Sequence, residues 1–321
     1  MNVSLFTRRR FLLSTMLSTA ASGVAGGAQS ALAQNSPASR DPAHDCFICV
    51  TCGVQYAATD GPPRECPVCL DERQYVGLDG QQWTTLNEMR RGSWANALRE
   101  QESNLVGIGT EPKFAIGQRA LLVRAPGGNI LWDCTSFVDE ATIRAVRELG
   151  GIAAIAISHP HYYSSMIEWS RAFDHAPIHL HEADRQWVQR PDPSIHFWRG
   201  ETKALAEGLT LIHTAGHFDG FQVLHWRDGA EGRGVVLSGD QPQVAADRRW
   251  VSFMWSYPNF IPLSAPEVRR IVTALEPWPF ERLYGAFWPS MVAADAKGAV
   301  RRSADRYIRR MGSESSISRS P

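Results

Sequence analysis

The apolar positions of this chain fall into two rhythms. Short continuous apolar runs, of which residues 152–157 (IAAIAI) are the clearest, stop abruptly at a polar or turn residue, the pattern of a strand covered on both faces. Residues 114–123 and 129–134 also read as strands, with Ala125-Pro-Gly-Gly128 as the turn between them. Further strands are predicted at residues 177–181, 209–212, 222–226, 234–237 and 282–286. The other rhythm is helical. It covers residues 139–149, closed by Gly150-Gly151, and residues 166–173. It recurs after Ser264-Ala-Pro-Glu267, a capping box, as far as about residue 275, and again over residues 292–310. Residues 81–102, with Trp83, Leu86, Met89, Trp94 and Leu98, are predicted to be a connecting helix, which sets a linker at 81–104.

Strands and helices alternate, but hairpins are mixed in. The pattern indicates layered α/β architecture with mixed sheets and excludes a simple doubly wound fold. Hydrophobic residues make up 44% and charged residues 21% of the 321, so the chain has enough apolar surface for a sizeable core. Lys plus Arg equals Asp plus Glu at 33 each, which leaves no net field to draw in nucleic acid or a charged membrane. The 11 Trp are many for this length and point to thick core packing or an aromatic-walled cleft. Trp250, Phe253, Trp255, Tyr257, Phe260, Trp278, Phe287 and Trp288 gather in the last third. Arg248 and Arg249 beside them are either a contact for an anionic substrate or a solvated pair.

At the start, Thr7-Arg8-Arg9-Arg10-Phe11-Leu12-Leu13 resembles the twin-arginine signal of bacterial export. The apolar segment after it is diluted by Ser, Thr and Gly and falls short of the roughly 20 apolar residues a membrane anchor needs. Ala31-Leu32-Ala33 supplies a small-x-small cleavage site before Gln34. The expectation is a signal peptide over residues 1–33, a flexible leader over 34–44, and a mature protein in the periplasm, free of the membrane. Residues 312–321 read as a polar, disordered tail.

Five of the 6 cysteines fall between Cys46 and Cys69. Cys49-Val-Thr-Cys52-Gly53 and Cys66-Pro-Val-Cys69 form two C-x-x-C pairs, each able to chelate one tetrahedral ion, with Gly61-Pro62-Pro63 turning the chain between them. The arrangement, over residues 45–80, resembles a zinc ribbon or a truncated rubredoxin knuckle. The resemblance implies zinc, or iron in an electron-transfer role, held by Cys49, Cys52, Cys66 and Cys69. Disulfides are the other option in an exported protein. Asp71 stands where rubredoxin has its second glycine, which favours structural zinc, and Cys46 keeps the membership of the quartet open. The element reads as a structural or docking knob for a protein partner. Cys134, in an apolar run, reads as a small buried hydrophobe.

The candidate chemistry sits at strand ends. Ser158 ends the 152–157 run, and His159-Pro-His161 follows it, putting two imidazoles at a sheet rim where a metal can be reached. His213-Thr-Ala-Gly-His217 and Ser238-Gly-Asp240 also follow apolar runs. Together the three blocks resemble the metallo-β-lactamase superfamily, over roughly residues 105–311. The resemblance implies a four-layer αββα sandwich with metals at the sheet rims. It makes His159, His161 and His217 ligands of one metal and Asp240 the family's bridging carboxylate. Asn129-Ile-Leu-Trp-Asp133 resembles an early strand whose aspartate is structural. The chain departs from the H-x-H-x-D-H pattern at Tyr163 and Ser164. It also has Gly285-Ala286-Phe287 where a late histidine is expected, so a second metal lacks its ligands.

What the resemblance then implies is a single zinc or iron ion whose bound water ionises near pH ~7 and attacks an ester, thioester, amide or phosphoester of a small-molecule substrate. Asp240 is either a fourth ligand or orients that water, and Tyr163 either donates to a developing oxyanion or fills the volume of the lost metal. His179 and His181 read as packed residues, His213 as structural, and His175, His196 and His225 have no visible partner. Two alternatives stand beside this hydrolase. One is a mononuclear iron dioxygenase acting on a sulfur compound; the other is a degenerate fold kept for binding.

Overall fold

The computed structural model describes residues 46–312. The expected signal peptide and leader, and residues 313–321 of the expected tail, lie outside that range. The first sheet has seven strands in sequence order: β1 (Ala95–Glu102), β2 (Leu105–Glu111), β3 (Arg119–Val123), β4 (Ile130–Trp132), β5 (Ala154–Ala156), β6 (Ile178–His181) and β7 (Ile195–Trp198). β1 to β4 run antiparallel as hairpins, and β4 to β7 run parallel. The parallel connections carry helices α1 (Glu140–Glu148) and α2 (Met166–Ala172), as such crossovers require. The second sheet orders β8 (Thr202–Ala206), β9 (Leu209–His213), β10 (Gln222–Trp226), β11 (Val235–Gly239), β12 (Arg282–Gly285) and β13 (Met291–Val292). Helix α3 (Ala265–Leu275) joins the parallel pair β11 and β12, and α4 (Ala296–Met311) closes the described chain.

Period-two alternation in the strands sorts their side chains into three apolar layers. Leu121, Val123, Ile130 and Trp132 meet Leu209, Leu211, Leu224, Val235 and Leu237 between the sheets. Ala120, Leu122, Leu131, Ile155 and Ile157 turn outward against Ile143 and Val146 of α1 and Met166, Ile167 and Trp169 of α2. Val223, Val236 and Leu283 turn outward from the second sheet against Val268, Ile271 and Leu275 of α3 and Ala299, Val300 and Ala304 of α4. The result is the four-layer αββα sandwich. Ile155 and Ile157 are 0% and 1% exposed, and burying each side chain is worth about 1.5–3 kcal/mol, which anchors the strand that carries the histidines.

Residues 81–102 are not one helix. Thr85 and Glu88 form a capping box, but the helix they start spans only Leu86–Arg91 and stops at Gly92. The chain then extends into β1, which pairs with β2. The Leu86 and Met89 spacing was a true helical signal. Leu98 belongs to a strand that the first sheet recruits by backbone pairing. The predicted linker at 81–104 therefore contains an edge strand of the sandwich. β2 was also invisible to pattern reading because it carries Gly107 and Gly109. A Cβ on either glycine would stand 2.8 or 2.7 Å from the indole of Trp288, which packs against the strand.

Candidate metal centre

β5 ends at Ala156, and a one-turn 3-10 helix, Pro160–Tyr162, follows at the rim. His159 and His161 flank its first residue, His217 follows β9, and Asp240 follows β11. All four residues are buried, and one donor atom from each lies within 4.8 Å of the others. Nε2 of His217 stands 3.3 Å from Nδ1 of His161, and Nε2 of His159 stands 3.6 Å from Oδ2 of Asp240. Donors held about 2.1 Å from a tetrahedral zinc stand roughly 3.4 Å apart, so the donor spacing suits one ion. His159 Nε2 and Asp240 Oδ1 have no hydrogen-bond partner although both are buried. Orphaned polar atoms at such a point are the mark of a ligand site.

The surrounding bonds select the tautomer that leaves lone pairs facing inward. Asp133 accepts from the Ser158 amide at 2.7 Å and from its hydroxyl at 2.8 Å. With its one proton committed to Asp133, the Ser158 hydroxyl can only accept from His159 Nδ1, 2.9 Å away. His159 Nδ1 therefore carries the ring proton and Nε2 is free. His217 Nδ1 lies 2.7 Å from the Trp255 carbonyl, an acceptor only, so its Nε2 is likewise a lone-pair donor. The His217 amide donates to Gln241 Oε1 at 2.7 Å. Burial holds the pKa of His159 and His161 well below the ordinary value and takes His217 down to about 4, so the imidazoles are neutral and ready to ligate. Burial also lifts the Asp133 carboxyl to about 7 and Asp240 to about 8.

The phenol at the carboxylate belongs to Tyr162. Its hydroxyl donates to Asp240 Oδ2 at 3.2 Å, and burial drives its pKa up, so it stays a neutral donor. The catalytic place foreseen for Tyr163 is not supported by its geometry: that hydroxyl points to the Asp184 carbonyl at 3.5 Å. In the 3-10 turn, adjacent residues leave the backbone on different sides, and sequence spacing alone does not say which of two neighbouring tyrosines turns inward. Ser164, the other substituted position, accepts from Gln118 Nε2 at 2.9 Å. Among the described residues, no clustered set for a second ion adjoins the first.

A cavity of about 220 Å³ opens on the centre and is lined by His161, His217 and Asp240. Tyr257, Gln243 and Phe287 line it from the second sheet's side, and Lys113, Ala115 and Ile116 from the first. Of the aromatic residues singled out in the last third, Tyr257 and Phe287 reach this cavity, and Phe253 is core. Arg249 pairs with Asp247 at 2.9 Å on the surface, and neither Arg248 nor Arg249 lines the cavity. His181 stacks on His213 at 3.7 Å, and His213 Nε2 and His225 Nε2 each lie 2.7 Å from a backbone carbonyl, so all three are packed and partnered.

The cysteine quartet converges as well. The Sγ atoms of Cys49 and Cys69 are 3.5 Å apart and those of Cys52 and Cys66 3.6 Å. A disulfide needs about 2.05 Å, whereas sulfurs about 2.3 Å from one zinc stand roughly 3.8 Å apart. The geometry therefore excludes the disulfide option for these four and suits one ion. Tyr56 Oη and Gln81 Nε2 donate to Cys66 and Cys49 at 3.0 and 3.2 Å, which favours the thiolate form. The element is not a free-standing knob. Cys49, Cys52, Val54, Tyr56, Cys66, Val68 and Cys69 share one apolar core with Ile155 and Ile157.

Fold and site together define a protein of the metallo-β-lactamase fold with an added four-cysteine element. Solved structures similar to this chain include VMB-1 (11% identical, 68% of this chain and 100% of that one, TM-score 0.51) and TMB-1 (10% identical, 66% and 98%, TM-score 0.51). At these identities the likeness is one of fold. No protein-family profile matches the chain. The uncharacterized protein YmaE of Bacillus subtilis (strain 168) is 54% identical over 269 residues, covering 84% of this chain and 97% of that protein. The chain belongs to the YmaE family.

Sequence reading missed Ser158, Gln241 and Trp255 as supports of the histidines. Ser158 had a signal, since it ends the strand and directly precedes a ligand. Gln241 and Trp255 act through one side-chain oxygen and one backbone carbonyl and leave no pattern in the sequence.

Proposed function

We propose that this protein is a metal-dependent hydrolase working with one ion, held by His159, His161 and His217, with Asp240 beside it to orient the water. The convergence of four buried donors, with His159 Nε2 and Asp240 Oδ1 unpartnered beside an open cavity, carries this reading. A divalent ion bound there supplies Lewis acidity and lowers the pKa of its water to about 7. The chain's own residues do the rest. Asp240 Oδ1 is free to accept a proton or a hydrogen bond from a water in the cavity. Tyr162 holds the other carboxylate oxygen. Ile116, Phe287 and Pro258 supply an apolar wall, and Gln243 and Lys113 supply polar groups to orient a substrate. A cavity of about 220 Å³ lies below the usual range of ~300–1,000 Å³ for ligand sites, so the substrate is a small ester, thioester, amide or phosphoester. In this reading the four-cysteine site holds zinc, and the resemblance of the Arg8-Arg9-Arg10 and Ala31-Leu32-Ala33 stretches to an export signal supports a periplasmic mature protein.

The test is to load purified protein with one equivalent of zinc or iron(II) at the His/Asp site and assay chromogenic members of the four substrate classes. Turnover in wild type that is lost in His161→Ala supports the hydrolase. Oxygen uptake with a sulfur compound and no hydrolysis would replace it with an iron dioxygenase, since three imidazoles and a carboxylate also suit iron(II). No turnover with any loaded form would leave a binding protein.

A further inference from the structure

The cavity over the His/Asp centre has a third wall, and it comes from the four-cysteine element. Thr51, Arg73, Gln74 and Tyr75 line the cavity together with His161, His217 and Asp240. Thr51 lies inside the first C-x-x-C pair, and Arg73 follows Cys69 by a single turn, closed by the Gln74 amide on the Asp71 carbonyl at 2.9 Å. The Arg73 side chain is only 12% exposed. It makes a two-pronged pair with Asp71, at 2.6 and 2.9 Å, and this pair fixes the plane of the guanidinium. So held, Arg73 Nη1 donates to the backbone carbonyl of His217 at 3.3 Å. Its guanidinium carbon lies 3.9 Å from the centre of the Phe218 ring. Phe218 in turn packs edge-on against His161 and His217, with ring centres 4.9 and 5.2 Å apart.

Asn259 secures the same loop from the other side. Its Nδ2 donates to the carbonyls of Glu72 and Gln74 at 2.8 and 3.0 Å. Asn259 lies two residues after Tyr257, whose hydroxyl donates to the Asp240 carbonyl at 2.6 Å. The loop leaving the second C-x-x-C pair is thus bonded to the backbone of the proposed ligand His217 directly and to that of Asp240 through a short segment.

We propose that the four-cysteine element is an integral wall of the metal centre, and that Arg73 is a positioning residue coupling the thiolate-bound ion to the placement of His217. The proposal rests on the His/Asp site binding a metal and does not depend on what the site then catalyses. An ion on Cys49, Cys52, Cys66 and Cys69 fixes the end of the loop, the Asp71–Arg73 pair transmits that position, and Phe218 and the His217 carbonyl receive it. Groups that orient ligands in this way typically govern metal affinity by 10–100-fold.

Cobalt(II) separates the two sites in the full chain, because tetrathiolate cobalt shows intense sulfur charge-transfer bands and the nitrogen–oxygen site shows only weak visible bands. Arg73→Ala should leave the thiolate bands unchanged, weaken cobalt binding at the His/Asp site by about ten-fold or more, and shift its visible bands. Arg73→Lys, which keeps the charge but not the fork, should recover only part of the affinity. Cys69→Ser should lose the thiolate bands and weaken the His/Asp site further. The proposal is overturned if Arg73→Ala, with thiolate bands and circular dichroism intact, binds cobalt at the His/Asp site within two-fold of wild type. It is equally overturned if Cys69→Ser stays folded with that site unaltered; if Cys69→Ser does not fold, Arg73→Ala decides. Wild type that binds cobalt at both sites yet hydrolyses nothing would end the hydrolase reading and leave this one intact.

Discussion

Replacing Ser158 by Ala removes one oxygen from a chain of hydrogen bonds that begins at Asp133 and ends on His159. The backbone bond from residue 158 to Asp133, at 2.7 Å, survives the change. What is lost is the hydroxyl that accepts from His159 Nδ1 at 2.9 Å. That N–H is then stranded on a side chain 1% exposed, where an unsatisfied donor costs about 1–3 kcal/mol. The imidazole recovers part of the cost by moving its proton to Nε2, the atom required for the ion. Either outcome penalises the metal-bound form, and loss of such an orienting partner typically lowers metal affinity by ~10–100-fold, about 1.4–2.7 kcal/mol. The assay is a competition titration of zinc against a chelator of known affinity, with circular dichroism to confirm the fold. Ser158→Ala that binds zinc at the His/Asp site within two-fold of wild type would refute the assignment of His159 Nε2 as the ligating atom.

Further expectations follow from single contacts. Gly239→Ala puts a Cβ 2.7 Å from the Ser158 hydroxyl, on a residue with φ of +59°, so it should lower both thermal stability and zinc content; normal zinc content in a folded variant would contradict the packing described. Burial raises the Asp184 carboxyl to about 7. The stability this group contributes is complete below the unfolded value of about 3.9 and is lost as pH rises towards 7, because the unfolded chain releases the proton first. Asp184→Asn, which keeps the acceptor for the Gly220 amide, should therefore show a shallower fall in stability than wild type over that window in pH-dependent urea unfolding. Stripping the thiolate-bound ion with a strong chelator should lower the melting temperature by ~8–16 °C, taking about 4 kcal/mol for an ion present at 1,000 times its dissociation constant and ~2–4 °C per kcal/mol. An unchanged melting temperature would mean that the thiolates do not hold an ion in the folded protein.

Local order was enough to show much of the architecture. Continuous apolar runs marked β5 and β11, because strands covered on both faces have no polar side to show. The run before Ser158 pointed to His159 and His161 by position, and the resemblance to the metallo-β-lactamase superfamily then named His217 and Asp240 beside them. The C-x-x-C spacing likewise named four thiolates, since two sulfurs on one turn reach a common ion with no help from distant residues. Tertiary structure decided what depends on direction and on long-range pairing. β1 became a strand because β2 offers it a backbone edge, which overrides a weak helical spacing. Tyr162, and not its neighbour Tyr163, turned to Asp240, because a rotation of one residue in a 3-10 turn separates them. The Asp133–Ser158–His159 relay and the Arg73 contact to His217 join residues distant in sequence through single hydrogen bonds. Such bonds impose no periodicity on the chain, so only the folded backbone brings them together.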